Sequence, residues 1–208
     1  MASMTTGNTS RADANRRRIL DVALAELLRD PDASMDQIAR AAGVVRRTVY
    51  GHFPSREALV STLVDGAVEA VAAADEAGRK DFEDPAQALA ASTLAVWEVA
   101  DRYRILVALA QRSVTMQGIR ERLTPVRESS EELLRRGLEA GVFVSPLPVP
   151  ALAYVHEQLV FAVMEAVNDG LLAPEEAGRS AAVTVLTAAG VPASPSSKAS
   201  PASARRAC

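Results

Sequence analysis

Residues 34–57, S-M-D-Q-I-A-R-A-A-G-V-V-R-R-T-V-Y-G-H-F-P-S-R-E, decide the fold of this chain. Ser34 followed three residues later by Gln37 is a capping box, so a short helix starts there. That helix turns Ile38, Ala39 and Ala42 to one side. Gly43 permits the positive φ of a sharp turn, and small Ala39 lets two helices cross closely. Val44 and Val49 then pack back on Ile38 from a second helix of about Val45 to His52. Pro54 stops that helix, because the residue before a proline avoids helical angles. Ser55 caps the next one, with Arg56 and Glu57 in its first turn.

Two short helices around a Gly turn, followed by a fresh helix start, form a helix-turn-helix, which makes duplex DNA the expected partner. The outer side of the second helix carries Arg46, Arg47, Thr48, Tyr50 and His52. Arg can fork onto a guanine, a Thr methyl can touch thymine, and Tyr and His can donate to phosphate. The free N–H groups at the helix start after Ser55 suit a phosphate, and Arg56 would reinforce them. The competing reading is a structural helical hairpin with a solvated Arg face.

The segment T-V-Y-G-H-F-P-S-R-E-A-L narrows that choice. Residues 34–60 resemble the DNA-binding signature of TetR/AcrR-type regulators, whose usual form is G-V-S-x-x-T-[LV]-Y-x-H-F-x-[SN]-[KR]-E-x-L. The matching residues are Gly43, Val44, Thr48, Val49, Tyr50, His52, Phe53, Ser55, Arg56, Glu57 and Leu59. Val45 departs from the pattern, which usually has a capping Ser there. The second helix is therefore expected to start without a side-chain cap, at a cost of about 1 kcal/mol.

Charge is distributed accordingly. The whole chain of 208 residues carries a formal charge of −3, which argues against a general nucleic-acid coat protein. Residues 11–56 hold nine Arg against six acids, leaving the rest of the chain acidic. A basic head on an acidic body is the footprint of a site-specific DNA binder. No run of 18 apolar residues predicts a membrane span, and the start of the chain lacks the apolar core of a signal peptide. Cys208 is the single cysteine, so no intramolecular disulfide can form. These features predict a cytoplasmic protein.

Apolar spacing predicts an all-α chain of about nine helices, with no strand-like alternation and no fixed repeat. Residues 1–10 are polar and read as a flexible arm. Residues 11–58 form the helix-turn-helix domain, whose first helix runs to about Arg29, where Asp30-Pro31 ends it. A connecting helix covers 59–80. A helical body follows over 81–190, in segments at about 85–101, 102–114, 118–141, 149–169 and 174–190. Residues 191–208 are rich in Ser, Pro and Ala, as expected of a disordered tail.

The family resemblance implies more than the spacing does. It implies that basic residues before the first helix reach the DNA backbone or minor groove, here Arg16 and Arg17 with neighbouring Arg18. It implies a homodimer on a palindromic operator, paired through the last two helices. Leu152, Val155, Leu159 and Val163 on one, and Ala182 and Val185 on the other, are the expected interface. It also implies a small-molecule effector inside the body. Trp97, Tyr103, Gln111, Met116, Tyr154, Gln158 and Phe161 are the expected ligand residues, with Thr93, His156 and Met164 as further candidates.

Enzymatic chemistry finds no support. His52 and His156 fall in separate predicted domains, and no cysteine or histidine cluster has metal-ligand spacing. Neither a Gly-rich phosphate loop nor an organised nucleophile is evident, so no catalytic residue, metal or cofactor is expected. The sequence reads as a dimeric transcriptional repressor released by a ligand. An activator, a regulator controlled by a protein partner, and a helical module that no longer binds DNA remain the alternatives.

Overall fold

The structure, a computed structural model, describes residues 5–110 and 115–191. Nine helices follow one another among the described residues, and there is no strand. They are α1 (Thr5–Arg29), α2 (Met35–Ala41), α3 (Arg46–His52), α4 (Arg56–Arg79), α5 (Pro85–Ala110), α6 (Met116–Arg122), α7 (Thr124–Glu139), α8 (Val149–Asn168) and α9 (Pro174–Ala188). No helix of the described residues is long and apolar enough to cross a membrane.

Local chemistry fixes the head, α1 to α3 with the start of α4. The Ser34 N–H donates to Gln37 Oε1 at 2.7 Å, and Ser34 Oγ accepts the Gln37 N–H at 3.3 Å, closing the capping box. Gly43 takes φ +63° and turns the chain, and the Val44 N–H returns to the Ala39 carbonyl at 3.0 Å. Ser55 Oγ caps α4 by accepting the Ala58 N–H at 3.1 Å. Ile19, Leu27, Ile38, Val49, Phe53 and Leu59 are the buried centre of the head. Full burial of each such side chain contributes roughly 1.5–3 kcal/mol, which outweighs any single cap.

α4 then runs on as the spine of the body, packed along α5. The core of the head does not close at the domain edge, because Leu106 of α5 and Ile119 of α6 belong to the same buried cluster. The carboxylate of Asp75, buried on α4, pairs with Arg79 at 2.9 Å, and Arg79 donates to the Ser129 carbonyl of α7 at 3.0 Å. Burial raises the Asp75 pKa, and the Arg79 guanidinium works against that rise. α5, α8 and α9 meet around Trp97, Met164, Ala177 and Ala181. Gly178 is required there, since a Cβ on it would fall 2.7 Å from the Trp97 ring.

Three expected boundaries are corrected. α1 starts at Thr5, inside the stretch expected to be an arm, because extending a nucleated helix is easier than starting one. α5 is continuous through Arg102, where a break was expected. No Gly or Pro interrupts residues 86–110, and Asp101 pairs with Arg104 one turn on at 2.9 Å. The helix expected over 118–141 is instead two, α6 and α7, joined at Leu123. Pro125 lacks an N–H and suits the first turn of a new helix. The tail from 192 onward lies outside the described residues.

Candidate nucleic-acid interface and body cavity

α3 is held to the head by Val49, fully buried, and presents its other side outward. Arg47 and Tyr50 are exposed, while Thr48 and His52 are half-buried. Val45 occupies the N-cap with φ −74° and ψ 149°, and its side chain makes no capping hydrogen bond. The Thr48 N–H therefore has only the Val45 carbonyl, at 2.8 Å. His52 leans against Phe53, with ring centroids 6.2 Å apart.

The arginines are not equally free. Arg46 Nη1 lies 2.9 Å from Asp36 Oδ2, and its guanidinium carbon sits 5.0 Å from the Tyr50 ring centroid. Arg16 packs over Phe53 at 5.3 Å, whereas Arg17 and Arg18 are exposed. Arg56 faces inward rather than waiting for a phosphate. Its Nη2 donates to the Pro31 carbonyl at 2.5 Å and its Nε to the Ala33 carbonyl at 3.3 Å. Arg56 thus pins the loop between α1 and α2 to the start of α4. Among the described residues, Arg47 makes no ion pair and is the cation of α3 most available to DNA.

The body holds a partly open cavity of about 110 Å³ between α4, α5, α6, α7 and α8. Its walls are mainly Val, Ala, Leu and Ile side chains, among them Val64, Val68, Ala100, Ile119 and Val160. Polar groups interrupt the wall at Asp75, Ser92, Thr93, Arg127, Ser130, His156 and Glu157. Arg127 Nη1 meets Glu157 Oε2 at 2.6 Å. Burial raises the Glu157 pKa, and Arg127 opposes that rise. His156 is half-buried in this wall, and its desolvation there pushes its pKa down to about 4.

Residues 19–63 match the family of bacterial regulatory proteins, tetR family. That match covers the helix-turn-helix head. Over 82 residues the chain is 40% identical to the HTH-type transcriptional regulator EthR of Mycobacterium tuberculosis, which covers 38% of this chain and 37% of that protein. Over 44 residues it is 52% identical to the uncharacterized HTH-type transcriptional regulator TtgW of Pseudomonas putida, covering 20% of this chain and 33% of that one. The chain thus spans little more than a third of the curated relatives it matches. The fold extends further than the sequence match. The TetR-like transcriptional regulator LfrR from Mycobacterium smegmatis, in complex with proflavine, superposes with TM-score 0.66 at 23% identity, over 85% of this chain and 96% of that one. The TetR family transcriptional regulator PfmR from Thermus thermophilus gives 0.65 at 22%, over 82% and 97%.

Several expected ligand residues lie away from this cavity. Tyr103 and Phe161 line the cavity, as do Thr93, His156 and Met164. Trp97 does not, because its ring is packed against Gly178. Met116 packs instead against the head core, where α6 meets it. Tyr154 is 43% exposed, beneath the Arg120 guanidinium at 5.6 Å. Gln158 accepts from Arg120 Nη2 at 3.0 Å and stands outside the wall. Gln111 lies outside the described residues. Asp75, Arg127 and Glu157 were missed, because charged residues on a helix read in sequence as a solvated face.

The expected dimer residues divide in the same way. Leu152, Ala182 and Val185 are buried within the chain's own core and are not open to a partner. Val155, Leu159 and Val163 are half-buried, and Val183, not singled out from sequence, is 50% exposed. Head and body are tied by Arg122 of α6, whose Nε meets Asp65 Oδ1 of α4 at 2.6 Å and whose Nη2 donates to Ser61 Oγ at 3.0 Å.

Proposed function

We propose that this chain is a DNA-binding transcriptional repressor that acts as a homodimer and is released from a palindromic operator by a small molecule bound in the body. The observation carrying this reading is α3, anchored by buried Val49 and turning Arg47, Thr48 and Tyr50 outward at the head surface. Thr48 and Arg46 read base edges, and Arg46 must leave Asp36 to do so. Arg47, Tyr50 and His52 hold phosphates, with Arg16 and Arg17 adding backbone contacts from α1. Arg56 serves DNA binding by holding the α1–α2 loop.

One head covers one half-site, so two copies are needed for tight binding, with half-sites about 34–36 Å apart. The half-buried Val155, Leu159 and Val163, with exposed Val183, are the apolar surface offered to the second copy. The effector acts by binding the released arrangement more tightly than the DNA-bound one. Location in the cytoplasm follows from this role. Selection of bound duplexes from a random pool by the purified chain, followed by sequencing, tests the proposal. A palindrome with half-sites about one helical turn apart supports it. No enriched sequence at low salt overturns it.

A further inference from the structure

The cavity has a readable chemistry. Each charge in its wall already has a partner: Asp75 with Arg79 at 2.9 Å, and Glu157 with Arg127 at 2.6 Å. Arg120 is the guanidinium that keeps a buried Nε without a hydrogen bond, and it stands outside the wall. An ionic ligand would therefore shed its water with no counter-charge to meet, which costs several kcal/mol per ion. Size is on the scale of one ring. An apolar protein cavity of about 150 Å³ holds benzene, and this one, partly open, has about 110 Å³.

One polar group is left for the ligand. Thr93 Oγ1 donates to the Leu89 carbonyl at 2.7 Å, which uses its single proton. Toward His156 Nε2, 3.5 Å away, Thr93 is then left as an acceptor, an arrangement that favours the imidazole proton on that nitrogen. Nδ1 is then a bare acceptor. Among the described residues nothing donates to it, and His156 lines the cavity. Burial keeps the ring neutral, so Nδ1 stays an acceptor at pH 7. A second cleft shares Val107, Phe161 and Met164 with the cavity, so the two spaces adjoin at these side chains.

We propose that the cavity takes an uncharged ligand of single-ring size whose hydroxyl or N–H donates to Nδ1 of His156. This rests on the cavity being the effector site and names the class of effector. Four probes of one size separate the possibilities: toluene, p-cresol, benzoate and benzylammonium, titrated calorimetrically into the full chain at pH 7. The expected order puts p-cresol about tenfold or more ahead of toluene, with both ions weaker than p-cresol. In His156→Phe, checked for helicity by circular dichroism, the advantage of p-cresol over toluene should vanish. The chain has two histidines, so ¹⁵N spectra of the imidazoles give a readout without substitution. They should show His156 protonated at Nε2, with Nδ1 shifting as p-cresol is added.

An Nδ1–H tautomer, an ion binding as tightly as p-cresol, an unchanged ratio in His156→Phe, or no saturable binding by any probe would each overturn the assignment. Binding in the expected order without release of a selected duplex leaves the ligand class standing and removes the effector role.

Discussion

Arg46 and Asp36 face each other across the turn of the helix-turn-helix, Nη1 to Oδ2 at 2.9 Å, so the head holds a cation of the outward face of α3 against its own carboxylate. Both side chains are well exposed, and a pair of that kind is worth roughly 0.2–1 kcal/mol. Asp36→Asn should therefore tighten DNA binding by up to about fivefold. Fluorescence anisotropy on a labelled duplex at fixed salt measures this. The gain should shrink when Arg46→Ala is present as well. Equal gains in both backgrounds would mean that Asp36 acts by general repulsion and not through Arg46.

Arg56 and Tyr50 should separate stability from binding. Arg56 holds the carbonyls of Pro31 and Ala33, and a charged hydrogen bond contributes about 1.5–3 kcal/mol. Arg56→Ala should lower unfolding stability in urea by about that amount, and Arg56→Lys should not rescue it because one ammonium cannot reproduce the fork. Tyr50→Ala, at an exposed position, should change stability by about 0.5 kcal/mol or less while weakening binding to all duplexes. A stable Arg56→Ala chain would remove the loop-pinning role.

Val45 offers a gain. Its backbone already has N-cap angles and its side chain is 70% exposed, so no packing is lost on replacement. Val45→Ser should raise stability by about 0.5–1 kcal/mol, read as an increase in melting temperature. No increase would show that the first-turn N–H groups of α3 are already satisfied by solvent.

Acid should loosen the body through His156. Its folded pKa of about 4 lies below the ordinary 6.5, so between those values the unfolded chain binds the extra proton. Stability from this group is complete above about pH 6.5 and falls by on the order of 3 kcal/mol as pH drops to about 4. Asp75 and Glu157, both raised, work in the opposite sense just above their ordinary pKa, where falling pH favours the fold. The comparison that isolates His156 is the difference in urea stability between the chain and His156→Phe across this range. A difference independent of pH would place the imidazole in solvent.

The head was legible because its signals are local. Ser34 and Gln37, Gly43, and Pro54 with Ser55 each act over a few residues, and the structure uses all of them. The role of Arg56 was not legible, since its two carbonyl partners lie 23 and 25 positions away. The body hid more. Periodicity shows that α8 is apolar on several sides, but not that Leu152 turns to the chain's own core while Val155 and Leu159 are only half-covered. Trp97 looked like a ligand contact by size alone, and its place against Gly178 required α9 to be docked. The run D-R-Y-R, without Gly or Pro, lies inside α5 and does not end it, with Arg102 exposed and Tyr103 on the cavity wall.

α4 begins at the floor of the head and forms a wall of the cavity with Val64, Val68 and Val71. A helix is a stiff rod, so Arg56 lies about 18 Å along it from Val68. A tilt of about 10° at Val68 carries Arg56 through about 3 Å, nearly the 3.4 Å or so between successive base pairs. Any tilt of α4 at the cavity would reach the head as a shift of that order, about one step of the double helix.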